Sequence, residues 1–413
     1  MWISMPLTTL FLPNLMGQQL LDFSSVINEN THQFIDLDIE VGYDSDGINS
    51  GLAKAFLEGG FIDREIRESS VPKNDNSILR FGSFASSKLN LSFNDNKLFK
   101  SDSLNLFISI FQESAYVFDL NQDSYNLFFF GNEMFRGEKV ELDKLRFNSW
   151  SLQSIGFGML NIHNQSQITF NVYRGTSHRN FSINNSSLFT ENDGTAINAD
   201  INASLFDNKY GLADRAKTSG LGVGFNGKIN LLPKNIMDNL FLNFSNIGLM
   251  FWPDGGEKII ADSLYNFEGV LFNEFFDPSS ESDTVPILNS YFTTERENGE
   301  NVSVLPVRIG LNYLKTLSEK TTINIGFESQ HINLWRPEFS LAGLKGMSPK
   351  LFLGAGVKYG GYGKANFNLL TYYSPTDNWM INTNISYLSG WISSNGYGMA
   401  ASLGVTHFLN SRN

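Results

Sequence analysis

The sequence predicts an all-β fold: a transmembrane, antiparallel, up-and-down β-barrel of about fourteen strands with short helical insertions. Three observations predict it. Four alternating segments follow one another between Leu351 and Leu409. Their polar positions are small, and their apolar positions tend to end in Trp or Tyr. No apolar run in the chain approaches the ~18 residues that suggest a membrane helix.

The alternation is a statement about faces, because successive side chains of a strand point to opposite sides. Leu353, Ala355, Val357 and Tyr359 share one parity and Gly354, Gly356 and Lys358 the other. Phe367, Leu369, Thr371 and Tyr373 stand against Asn366 and Asn368, and Trp379, Ile381, Thr383, Ile385 and Tyr387 against Asn382, Asn384 and Ser386. The last segment sets Tyr397, Met399, Ala401, Leu403 and Val405 against Gly398, Ser402, Gly404 and Thr406. Lipid outside and water inside produce this pattern, with aromatic girdles at both interfaces. The expected girdle is Tyr359, Tyr373, Trp379, Tyr387 and Tyr397. The expected lumen residues are Lys358, Asn366, Asn384 and Ser402. A soluble antiparallel sandwich alternates similarly but usually carries larger charged residues on its wet face.

The earlier chain continues the pattern. Ile35, Leu37, Ile39 and Val41 alternate with Asp36, Asp38 and Glu40. That acidic row either lines a cation path or sits in lumen water, and the second reading is favoured. Asp44-Ser45-Asp46-Gly47 resembles the start of a calcium loop, but the closing Glu is not at its position, so a polar turn is expected. Gly47–Glu58 reads as a short helix and Glu65–Asn76 as a loop. Strands are expected around Leu89–Phe93, Leu104–Ile110, Ile155–Met159, Ile168–Tyr173, Ala199–Leu205, Leu221–Ile229, Leu240–Phe244, Val307–Tyr313 and Ile323–Phe327. Gly137–Trp150 reads as helical or irregular, and Asp277–Gly299 as the longest loop. The whole chain, 1–413, is expected to form one barrel domain. Residues 1–30 are expected to supply a first strand or a plug-like segment. Met1–Gly17 lacks the basic start of a secretory signal, so the chain is expected to begin after or inside a processed precursor.

Composition excludes several functions. The 413 residues contain no Cys, which removes thiolate metal sites, disulfides and Cys nucleophiles. A net charge of -12 opposes nucleic-acid binding. Thirty-six Phe and 36 Gly suit an apolar outer band and a small-residue lumen. His32, His163, His178, His331 and His407 show no metal-ligand spacing. There is no GxSxG elbow, phosphate loop or HExxH. No catalytic residue, cofactor or metal is therefore expected.

Several short stretches together resemble one family. They are Ile3-Ser4-Met5-Pro6-Leu7, Leu127-Phe128-Phe129-Phe130-Gly131-Asn132, Asn243-Phe244-Ser245-Asn246-Ile247-Gly248 running into Phe251-Trp252, Tyr265-Asn266-Phe267-Glu268-Gly269, and Leu305-Pro306-Val307-Arg308-Ile309-Gly310. They resemble Bacteroidota outer-membrane barrels of unknown function, a family similar to FadL-type and type IX secretion-associated barrels. The resemblance implies a cell outer-membrane barrel with no catalytic residues to carry over. The family's usual Asn-Pro-Ala opening is missing here.

The leading functional expectation is a non-enzymatic barrel serving as a subunit of a larger outer-membrane assembly for secretion, protein insertion or uptake. Outer-membrane lipid and protein partners are then expected, and no nucleic acid. The alternative is a FadL-like transporter of a hydrophobic small molecule. That needs a plug, for which Met1–Leu21 is available, and an apolar lumen pocket, to which Phe352 and Met380 point. An open porin is disfavoured by the many Phe residues and by short loops.

Overall fold

The computed structural model describes residues 33–58, 61–71, 78–94, 103–207, 220–232, 238–252, 257–267, 294–298, 302–318, 320–332 and 334–409. In chain order its strands are β1 (Phe34–Ser45), β2 (Ile78–Asn94), β3 (Leu104–Asn121), β4 (Lys139–Glu141), β5 (Arg146–Asn161), β6 (Gln167–Ile183) and β7 (Ser187–Thr190). There follow β8 (Ile197–Asp207), β9 (Gly220–Asn230), β10 (Asp238–Phe251), β11 (Glu257–Phe267), β12 (Thr294–Asn298), β13 (Val302–Val304) and β14 (Arg308–Ser318). The last are β15 (Thr321–Ile332), β16 (Leu334–Ser348), β17 (Leu351–Gly360), β18 (Asn366–Thr376), β19 (Trp379–Ser386) and β20 (Met399–Phe408).

Fourteen of these strands close an antiparallel ring. Its order is β1–β2–β3–β5–β6–β9–β10–β14–β15–β16–β17–β18–β19–β20, and back to β1. The closing ladder runs from Phe34↔Phe408 to Tyr43↔Met399. Alternation sets the two faces. Ile35, Leu37, Ile39 and Val41 of β1 are exposed on the outside while Glu40 is buried inside. Phe367 and Leu369 of β18 are likewise outside, with Asn366 and Asn368 inside.

The two ends differ. At one end the turns are mostly tight, and Leu409 N donates to Gln33 O at 2.9 Å, so both flanks of the described chain meet there. The other end carries insertions: α1 (Ser50–Glu58) and α2 (Arg64–Ser69) after β1, α3 (Gln122–Phe130) after β3, and α4 (Leu388–Ile392) after β19. Short periplasmic turns and long outer loops are the usual polarity of such barrels. The tight hairpin Ile332↔Leu334 is the exception at the outer end.

Several expectations change here. Glu65–Asn76 contains α2, whose first turn is capped by Asp63, accepting from Ile66 N at 2.8 Å. The apolar run Tyr125–Phe130, whose sequence reads on from the preceding strand segments, is helical because Asn121 caps it, accepting from Ser124 N at 2.8 Å, and Gly131 ends it at φ 81. Gly137–Trp150 includes β4 and the start of β5, whose Trp150 and Leu152 share the inward parity despite the charged residues before them. Ala199–Leu205 is a strand but lies outside the ring. β6 leaves β9 above Gly175 and pairs instead with β8, from Arg179↔Asp207 to Ile183↔Ala203. β8 then pairs with β11, and β11 with β12. The ring wall between β6 and β14 thus continues outward as a second sheet. Within Asp277–Gly299, residues 294–298 form β12; 277–293 and 299, like residues 1–32, lie outside the described residues.

Parity gives the first test. Leu403 faces outward and its neighbour Ser402 faces the interior. Leu403→Arg is expected to cost about 2–4 kcal/mol, the range for a cation on a barrel's lipid face near the midplane. Ser402→Arg is expected to cost much less. Comparing the folded fractions of the two variants on a heat-modifiability gel checks this, and equal losses would contradict the assigned faces.

Candidate functional site: the lumen

The interior is where chemistry can act, and the ladder decides what meets there. Phe34, Phe241, Phe352 and Met380 lie near the starts of strands that run away from the tight-turn end, and Leu314, Tyr372 and Phe408 near the ends of strands that return to it. All have inward parity, so they converge in one apolar cluster at that end. Phe107 joins it edge-on to Phe34, ring centroids 6.4 Å apart. This cluster is a floor.

Above it is a cavity of about 380 Å³ with both apolar and charged walls. A polar partition bounds it. The buried Glu113 accepts from Trp150 Nε1 at 3.0 Å and from Asn246 Nδ2 at 3.4 Å, and lies 3.6 Å from Arg308 Nη2. Asn246 is placed by a bulge: the β9–β10 register slips between Phe244 and Ile247, and Asn246 adopts φ 58, a conformation Asn tolerates well. Its backbone N–H donates to Asn226 Oδ1 at 2.7 Å, and its side chain donates to Pro306 O at 3.2 Å. The Tyr173 hydroxyl stands 3.0 Å from Asn246 Oδ1.

On the far side of the partition the interior is apolar again. Trp150, Leu152, Met250, Trp252, Leu305 and Ile332 pack together with Tyr173. Trp252 is seated on the facing pair Gly175↔Gly220, where an added Cβ on either would approach its ring to 2.6 Å. Its Nε1 donates to Ser303 Oγ at 2.9 Å. A second cavity, about 450 Å³, lies here. It is lined by Leu305, 2% exposed, and also by Val304, 63% exposed on the outside. The wall beside it is irregular, though Leu305 N still donates to Gly248 O at 3.2 Å. β10 pairs with β14 as far as Ser245↔Arg308 and with β13 from Leu249↔Val304, and Pro306, which has no N–H to donate, falls between.

The outer mouth is crossed by an ion pair. Arg336 Nη2 donates to both Asp119 oxygens, at 2.6 and 2.7 Å. β3 is the third and β16 the tenth strand of the fourteen-strand ring, so the pair spans opposite walls. Arg336 lies 4.4 Å over the Tyr362 ring, and Tyr362 N and Gly363 N donate to Asp44 Oδ2 at 3.1 and 2.8 Å. Burial pushes the Tyr362 phenol well above its ordinary pKa, so it stays neutral.

The residues expected in the lumen are Lys358, Asn366, Asn384 and Ser402. Lys358, 2% exposed, pairs with Glu338 at 3.0 Å, and Asn384 and Ser402 line the lower cavity. Asn366 is buried beside them, donating to Lys364 O at 3.2 Å. Of the expected girdle, Tyr359, Tyr373 and Trp379 lie on the outer surface, and Tyr397 is half-buried with Lys364 Nζ 5.2 Å over its ring. Tyr387 requires a correction: it is 2% exposed. β19 ends at Ser386, and φ 59 at Tyr387 turns its ring inward against Gly398. Glu113, Trp150, Tyr173, Asn246, Asp119 and Arg336 were not anticipated, though Asn246 and Arg308 fall in two of the stretches that carried the family resemblance. Among the described residues no cluster of three or more His, Asp or Glu side chains is arranged to hold a metal.

A closed barrel with aliphatic and aromatic side chains outside and Asn, Ser and charged side chains within fits one setting. The chain lies in the bacterial outer membrane. No family model matches it, and no curated protein matches it. Among solved structures it is similar to the Pseudomonas putida toluene transporter TodX, at 9% identity over 94% of this chain and 92% of that one, TM-score 0.46. The CymD monoaromatic hydrocarbon channel aligns at 8% identity over 96% of each chain, TM-score 0.45. The Ralstonia pickettii toluene transporter TbuX aligns at 7% over 92% and 90%, TM-score 0.41.

The strut at the mouth gives a test. Arg336→Ala is expected to raise ion conductance several-fold in planar bilayers. Because losing one partner of a buried pair costs about 3–5 kcal/mol, the exchanged pair Asp119→Arg with Arg336→Asp serves as the control, and is expected to return conductance toward the parent value. Unchanged conductance in Arg336→Ala would show that the strut does not limit the path.

Proposed function

We propose that this chain is a non-enzymatic outer-membrane channel for a hydrophobic small molecule. One observation carries the reading: the interior holds two stacked cavities, each against an apolar cluster, one of mixed polar and apolar walls over a floor of Phe and Met and one beside Trp150 and Trp252. A porin lumen is polar and water-filled. Pockets of roughly 300–1,000 Å³ with mainly apolar walls and a few placed polar groups suit small molecules. Phe352 and Met380, the two residues that pointed to an apolar lumen, belong to the floor cluster. Tyr359 at one end and Tyr373 and Trp379 at the other then serve as the interfacial girdle, with lipid as their partner.

The apolar clusters above and below the lower cavity reverse the order of the two functional expectations. A role as a subunit of a larger outer-membrane assembly retains one observation in its favour. Phe61 and Phe128 are 88% and 75% exposed on the outer cap, where a protein partner would cover them.

The test is uptake of an apolar fluorescent tracer of two fused rings by cells with and without the chain. Faster uptake with the chain is expected. Leu152→Asp and Ile332→Asp, which place a charge in the second cavity, are each expected to reduce it by about tenfold, the scale set by burying an uncompensated polar group. Equal uptake with and without the chain would sink the reading.

A further inference from the structure

The lower cavity is not neutral. Five carboxylates line it against three cationic side chains, a surplus of two negative charges. β1 alone contributes three carboxylates at consecutive inward positions, Asp36, Asp38 and Glu40. Asp36 is the lowest of these. Its oxygens accept from Thr406 Oγ1 at 2.8 Å and Asn90 Nδ2 at 3.1 Å, both neutral donors, and it forms no ion pair among the described residues. The same cavity is lined by the rings of Phe34, Phe107, Phe241 and Phe408, with Phe34 two positions before Asp36 on the same face of β1. Aromatic faces attract cations and disfavour anions. The protein itself supplies an example: Lys228 Nζ sits 4.4 Å from the centre of the Phe241 ring, inside this cavity.

We propose that the cargo is an apolar molecule bearing a cationic amine, and that its ammonium group lodges between Asp36 and the aromatic floor. The inference deepens the transport reading and rests on it. Charge surplus and aromatic faces act in the same direction. An anionic head would meet the acidic row of β1 and the negative faces of the floor rings together, whereas an ammonium is favoured by both. A neutral molecule would gain from the floor alone. The volume of about 380 Å³ fits a single ring or a short chain rather than a long lipid.

Three probes sharing one ring and differing only in the head group separate these cases: 2-phenylethylamine, 2-phenylethanol and phenylacetate. Each is titrated into the purified full chain by calorimetry. The amine is expected to bind roughly tenfold more tightly than phenylacetate, with the alcohol between them. Asp36→Asn and Glu40→Gln are expected to narrow that preference while retaining affinity for the alcohol. Equal affinities for all three probes, tighter binding of phenylacetate, or a preference unchanged in Asp36→Asn would overturn the inference and leave the transport reading standing. No binding of any probe to protein that migrates as folded on a heat-modifiability gel would overturn both.

Discussion

Every backbone N–H and C=O that faces hydrocarbon must find its partner within the chain, since a group left without one costs several kcal/mol. The β1–β20 ladder meets that requirement, from Phe34↔Phe408 to Tyr43↔Met399. Closure also fixes parity all the way round, because a slip of one residue would turn the outward Ile, Leu and Val of β1 inward and Asp36, Asp38 and Glu40 into lipid. The lumen is therefore a consequence of the ring. Its residues are those the outside could not accept, together with large apolar side chains placed at inward positions near the strand ends.

The ladder is irregular where β9, β10 and β14 meet, and the partition depends on that place. The β9–β10 register slips between Phe244 and Ile247, and the regular β10–β14 pairing stops at Ser245↔Arg308, beyond which Leu305 N donates to Gly248 O at 3.2 Å. Asn246 compensates with both halves of its amide and with its backbone N–H, tying Asn226, Tyr173, Pro306 and Glu113 into one unit. Glu113 is a buried carboxylate, and its cost is offset by hydrogen bonds from Trp150 and Asn246 and by the nearby Arg308. Removing any one donor leaves the rest of the set under-satisfied, so the partition behaves as a unit.

Much of the fold was legible because period two is a local signal. Strand parity at Val357, Lys358, Leu403 and Ser402 needs only neighbouring residues. Local signals also misled. Tyr387 continues the alternation of β19 in sequence, but a single positive φ ends the strand before it. Ala199–Leu205 alternates as well as any ring strand, and only its partners, β6 and β11, show that it stands outside the ring. The site was less legible still. Asp119 and Arg336 are 217 residues apart and meet because they lie on opposite walls of a closed ring, which no window along the chain can reveal. The floor could have been read by parity, since Phe34 and Phe408 share their faces with Asp36 and Thr406. Phe352 and Met380 alone pointed to an apolar part of the lumen, against a preponderance of Gly, Ser and Asn on those faces.

A hydrophobic passage has a difficulty that this arrangement addresses. An apolar tunnel without interruption would hold an apolar molecule well and release it poorly, whereas conduction needs sites that are favourable to enter and weak enough to leave. Here the apolar path is divided. The Trp150–Trp252 chamber and the Phe floor are separated by Glu113, Asn246 and Arg308, groups that offer a hydrocarbon nothing. On the transport reading proposed above, each chamber would bind on its own, with a shorter apolar contact than one continuous tunnel would provide. One local irregularity of β10, the bulge that requires Asn246, thus sets the position of the partition, and a change that repaired the ladder there would remove it.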